Sequence, residues 1–138
     1  MLNTHCRAWL AASLVGALIM APVGMAAEDH DHDHGGHEHH APKHGGLVEE
    51  ANGLDYELVL KPDMARLYVD GHDTKVSVKG GKATITFLRG GETTKLVLLP
   101  AGENWFEVKG AVPTGAGVRA VAVVLLKGKT TSVRFAVK

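Results

Sequence analysis

From Leu47 onward the apolar residues recur with a period of two and are interrupted by glycine turns, the mark of half-buried strands rather than helices. Leu54, Tyr56, Leu58 and Leu60 form one face of the first long run, while Asp55, Glu57 and Lys61 occupy the other with Val59. Ala65, Leu67 and Val69 then alternate with Arg66 and Tyr68 and end in the turn Asp70-Gly71-His72-Asp73, after which Val76 and Val78 continue the pattern. Ala83, Ile85 and Phe87 lie between the pairs Gly80-Gly81 and Gly90-Gly91. Such pairs read as successive hairpin turns, because tight turns require positive φ. Thr94, Leu96 and Leu98 follow, then a short run at 105–108. Residues 118–126 are apolar at nearly every position and predict a central strand covered on both faces. Thr131, Val133, Phe135 and Val137 close the series. Eight or nine short strands and no helical period predict an all-β fold over residues 47–138. The expected form is a small antiparallel β-sandwich of immunoglobulin-like or cupredoxin-like character.

Upstream the pattern stops. Residues 28–46 are expected to be a disordered segment hinged to the sandwich at His44-Gly45-Gly46, since up to His44 nothing in them can anchor a core. Residues 1–27 have the parts of a secretory signal: Arg7 near the start, an apolar run of 14 residues at 8–21, and small residues at Gly24, Ala26 and Ala27. A bilayer crossing needs about 20 apolar residues. Cleavage after Ala26 or Ala27, export to the periplasm and no membrane span in the mature chain are therefore expected.

Cleavage would also remove Cys6, the only cysteine, and with it disulfides, thiolate metal sites and cysteine nucleophiles. The chain carries 15 acidic and 15 basic residues, but they are unevenly placed. Residues 28–44 hold five acids and one lysine, a net −4, and residues 45–138 hold ten acids and thirteen bases, a net +3. An acidic segment attracts cations, and a small positive excess without a basic cluster gives no footprint for nucleic acid.

The chemistry is concentrated in that acidic segment. His30, His32, His34, His37, His39, His40 and His44 place seven histidines in fifteen residues, interleaved with Asp31 and Asp33. A neutral imidazole offers a nitrogen lone pair to zinc, copper, nickel or cobalt, and the carboxylates lower the cost of gathering divalent cations. Metal affinity of this origin is lost as pH falls through about 6. Sharper geometries fail on spacing. A calcium loop starting at Asp29 would need glycine where His34 stands and glutamate where His40 stands. A catalytic zinc helix starting at His37-Glu38 would need histidine at Ala41. The pattern is that of a chelating segment, with no enzyme expected. A purification tag or an inert solubilising tail is the bland alternative, and the mixture with acids directly behind a signal argues against it.

Other residues are less telling. His72 is expected as a solvated turn histidine, with an accessory ligand role as the alternative, and Met64 as core packing. Trp105 and Phe106 read as interior packing, while Glu49 and Glu50 are candidate oxygen donors beside His44.

Pro42-Lys43-His44-Gly45-Gly46, followed by Tyr56-Glu57-Leu58-Val59-Leu60, Leu67-Tyr68-Val69-Asp70 and Val133-Arg134-Phe135, resembles the N-terminal metal-binding domain of adaptor (membrane fusion) proteins of heavy-metal efflux pumps of the resistance-nodulation-division type. The resemblance implies a periplasmic β-sandwich that binds zinc, cobalt, cadmium, nickel or copper and buffers or delivers it to an export system. It reaches His44 and the upstream histidines and no other residue. A sequence ending at Lys138 without a coiled-coil hairpin or lipoyl-like module is expected to be free-standing, with a pump adaptor as its candidate partner. The alternative function is a protein-interaction module whose histidine segment is incidental. An exposed apolar patch around Trp105 would favour it.

Overall fold

The computed structural model describes residues 41–138. The expected signal sequence and the segment up to His40 lie outside the described residues. Among those described, no helix is long and apolar enough to cross a membrane.

The described chain is all-β. Its eight strands are β1 (Leu47–Ala51), β2 (Leu54–Lys61), β3 (Met64–Asp70), β4 (Lys82–Arg89), β5 (Glu92–Pro100), β6 (Trp105–Lys109), β7 (Arg119–Leu126) and β8 (Lys129–Ala136). Every pairing is antiparallel, in the order β1-β2-β3-β6-β5-β4-β7-β8. Strand β5 joins the two halves of the sheet. Most of its length pairs with β4, while Leu99 and Pro100 pair with Glu107 and Phe106 of β6. The strands thus form one continuous sheet, and its terminal strands β1 and β8 are bridged where the Asn52 amide donates to Thr131 Oγ1 at 3.1 Å. The sheet is nearly closed on itself.

The period-two pattern fixes which side chains face inward. Phe87, Ala120 and Phe135 stand in one row across β4, β7 and β8, and Ile85, Ala122 and Val133 in the next. Small alanines lie between larger neighbours, the large–small alternation that lets facing side chains interdigitate. On the other half, Leu58, Leu67 and Phe106 make the equivalent row across β2, β3 and β6. These nine residues belong to a single buried cluster.

Two expectations change. Strand β7 is covered on one face only: Ala120, Ala122 and Val124 are buried, whereas Val123 and Leu125 are 43% and 44% exposed. It lies between β4 and β8 in a sheet packed against the opposite half on its inner side alone, so its outward valines and leucine remain in water. Val76 and Val78 belong to no strand. The segment after β3 makes one isolated bridge, Asp70 to Lys75, and is anchored where Val78 N donates to Glu103 O at 2.9 Å with the valine side chain fully buried.

This packing predicts a contrast between faces. Phe106→Ala should cost about 3–5 kcal/mol in urea-induced unfolding, whereas Val123→Thr on the outer face should change stability by less than about 0.5 kcal/mol.

Candidate functional site

On β2 the alternation places Glu57 on the outward face with Asp55, Val59 and Lys61, yet Glu57 is only 4% exposed. A strap formed by residues 43–46 lies over it and turns its donors inward. His44 N donates to Glu57 Oε1 at 2.7 Å and Gly46 N to the same oxygen at 2.8 Å. Lys43 N donates to Oε2 at 3.1 Å, and the His44 ring meets Oε2 through Nδ1 at 2.8 Å. One carboxylate therefore accepts four hydrogen bonds from three residues, two of them from His44 and one each from Lys43 and Gly46.

The two glycines of the strap make this possible. Gly45 has φ +76°, a left-handed turn that brings the amides on either side of it toward one oxygen. Gly46 passes so close to β2 that a Cβ there would lie 2.5 Å from Leu58 O and 2.9 Å from Val59 Cγ2. The segment expected to hinge freely at His44-Gly45-Gly46 is instead fastened to β2, because the Glu57 carboxylate gathers its backbone amides. The ordered domain extends past Leu47 to include Lys43.

A row of rings completes the contact. Glu57, Tyr68 and Trp105 are cross-strand partners on β2, β3 and β6. The His44 ring stacks on Tyr68 with centroids 3.6 Å apart and planes 3° from parallel, and Tyr68 meets Trp105 at 5.8 Å with a 40° tilt. At the end of β3 the Asp70 carboxylate, 7% exposed, accepts from Asn104 Nδ2 at 2.9 Å and pairs with Lys43 Nζ at 3.4 Å. A groove of about 370 Å³ runs beside these residues, walled by His44, Tyr68 and Trp105 on one side and by the 71–75 turn, including His72 and Asp73, on the other.

Burial alone would raise the Glu57 pKa, but the Gly46 amide, the His44 ring and the amides of His44 and Lys43 outweigh it and hold the carboxyl below its ordinary range. Glu57 is therefore ionised at neutral pH. A carboxylate can only accept, so His44 Nδ1 carries the hydrogen in their contact, and in the neutral ring Nε2 keeps its lone pair. The His44 side chain is 36% exposed and lines the groove. An imidazole held through one nitrogen by a carboxylate, with the other nitrogen available, is the arrangement that orients histidine ligands of metal ions.

Of the residues expected to bind metal, His44 alone lies among those described. His30, His32, His34, His37, His39 and His40, with Asp31 and Asp33, lie outside them. Among the described residues, no group of three or more His, Cys, Asp or Glu is placed to hold a metal ion. Glu49 and Glu50 are thus not gathered with His44 into a ligand set: Glu49 pairs with Tyr56 and Glu50 with Asp55 along the β1–β2 ladder. His72 is exposed in its turn and lines the same groove as His44. Sequence reasoning did not single out Glu57, Asp70 or Asn104. The one available signal was a single carboxylate set in the apolar run of residues 56–60, on the same strand face as Val59.

No protein-family model, no curated protein and no solved structure matches the chain. The resemblance to efflux-adaptor domains rests on its short motifs alone.

The ionised Glu57 makes a prediction about acid. Because its pKa is depressed in the folded state, its stabilising contribution is complete above the unfolded value of about 4.3 and is lost as pH falls through the lower folded value. Glu57→Gln should lose about 1–3 kcal/mol at pH 7. In urea unfolding followed from neutral pH down to about pH 3, it should also show a shallower fall in stability below about pH 4.3 than the unaltered protein.

Proposed function

We propose that this chain is an exported, periplasmic protein that binds divalent transition-metal ions and buffers them or passes them to a heavy-metal export system. The observation that carries this reading is the His44–Glu57 pair. It fixes one imidazole, with its Nε2 available, at the point where the histidine-rich segment joins the folded domain. The further ligands would come from His30, His32, His34, His37, His39 and His40, with Asp31 and Asp33 offsetting charge. Zinc, copper, nickel and cobalt all suit imidazole and carboxylate donors, and copper and zinc should bind most tightly in vitro whatever the cargo. The role is binding rather than catalysis, since a chelating segment does not hold a metal-bound nucleophile in a fixed position against a substrate.

A pump adaptor as partner follows from the motif resemblance and belongs to the same proposal. The second reading, a protein-interaction module, has one observation in its favour, and it does not lie around Trp105, which is half-buried against Tyr68. Val97 and Val123 flank Thr84 in register on the outer face of β5, β4 and β7. Two residues further along their strands, Leu99 is 61% and Leu125 44% exposed. Partner binding that ignores metal and is abolished by Leu99→Ser would favour that reading.

Calorimetric titration with zinc distinguishes the two. Replacing the six histidines from position 30 to 40 by asparagine in the full mature chain should remove most of the bound zinc. Glu57→Gln, with the fold verified by circular dichroism, should weaken the tightest site about 10- to 100-fold. Zinc binding unchanged in both variants would move the site elsewhere and sink the histidine-segment model, and absence of zinc binding by the unaltered protein would remove the metal reading.

A further inference from the structure

A second cavity, also of about 370 Å³, lies where the β1–β2 and β7–β8 turns come together, and it shares no residue with the His44 groove. Its wall is apolar: Leu54 and Tyr56 from β2, Val124 and Leu126 from β7, and Val76 from the loop after β3. Tyr56 and Val124 are each 1% exposed and form its floor, while Leu54, Val76 and Leu126 are half-buried. The cavity thus reaches down to side chains of the buried core. Strands β1 and β8 are the two ends of the sheet order and share no ladder, and here they are linked by the Asn52–Thr131 side-chain bond of 3.1 Å. Strands β1 and β8 pack side by side without ladder hydrogen bonds, and the cavity opens at the end of that seam, beside the Asn52–Thr131 bond.

The rim is cationic. Lys127 and Lys129 line the cavity, and no acidic residue does. Lys127 also has φ +49°, a left-handed conformation that costs most side chains energy and that asparagine or glycine normally occupies in a two-residue hairpin. The matching β1–β2 turn follows that preference with Asn52 at φ +53°. A lysine kept in a strained backbone conformation at the mouth of an apolar cavity is an observation that points toward function.

Small-molecule sites are concave, mainly apolar, of about 300–1,000 Å³, and carry a few polar groups that fix orientation. We propose that this cavity binds a small amphipathic anion, a molecule with an apolar body and one carboxylate or sulfonate head. The body lies against Leu54, Tyr56, Val76 and Val124, and the head is held at Lys127 and Lys129. The apolar wall contributes by removing hydrocarbon from water, and the lysines select the anion over a neutral molecule of the same length. The source of the ligand is either a free acid or an anionic lipid, since both present this chemistry.

Decanoate is the probe, titrated into the mature protein with EDTA present so that metal binding plays no part. Saturable binding is expected, with amide shifts in ¹⁵N-resolved NMR centred on Leu54, Tyr56, Val76 and Val124. Decanol should bind at least about tenfold more weakly. Lys127→Asn combined with Lys129→Gln should reduce decanoate affinity by about tenfold or more and leave decanol unaffected, and asparagine suits the left-handed turn, so the fold is preserved. Co-sedimentation with phosphatidylglycerol vesicles, lost in the same double variant, would assign the source to lipid, and binding of decanoate without sedimentation would assign it to a free acid. Absence of saturable binding, equal affinity for decanol, or shifts centred instead on Val97, Leu99, Val123 and Leu125 would overturn the proposal.

Discussion

The carboxylate of Glu57 accepts hydrogen bonds from Lys43, His44 and Gly46, and the arrangement of the site follows from this. Without it, the strap over β2 would be a connector with no reason to adopt one path. A buried carboxylate is costly unless its lone pairs are satisfied, and here the satisfaction comes from backbone amides that a glycine turn aligns. The same contact fixes the tautomer of His44, lays its ring on Tyr68 and seals Tyr68 to 9% exposure. Order in the strap, the orientation of one imidazole and the burial of one tyrosine are three results of a single acceptor.

The fold around it is simple in its logic. Inward rows alternate large and small side chains across the strands, as Phe87, Ala120 and Phe135 do, and the sheet bends until its two ends meet at Asn52 and Thr131. The proposed metal-binding site lies on the outside of this frame. The inner faces supply rigidity, and the outer face of β2, β3 and β6 supplies the carboxylate and rings against which the start of the domain is fastened.

Much of this was legible in the amino-acid sequence. Period-two alternation located most strands, because one face of each is buried and the other is not. It failed for residues 118–126, where the outward Val123 and Leu125 imitate a strand buried on both sides, and for Val76 and Val78, where two spaced valines imitate a strand although Val78 is a loop residue filling the core. The candidate site was legible in part. A histidine beside two glycines after a histidine-rich run drew attention to His44, but the role of Glu57 depends on a contact across thirteen positions that no local pattern encodes. Asn104, which holds Asp70 across 34 positions, was hidden for the same reason.

The decisive observable is the state of the His44 ring. Ring nitrogen shifts from long-range ¹H–¹⁵N correlation on the neutral ring should show the hydrogen on Nδ1 and a lone pair on Nε2, and zinc should move the Nε2 resonance at the first equivalent added. A ring carrying its hydrogen on Nε2, or an Nε2 resonance indifferent to zinc while the metal binds elsewhere, would contradict the view that Glu57 prepares His44 to hold a metal ion.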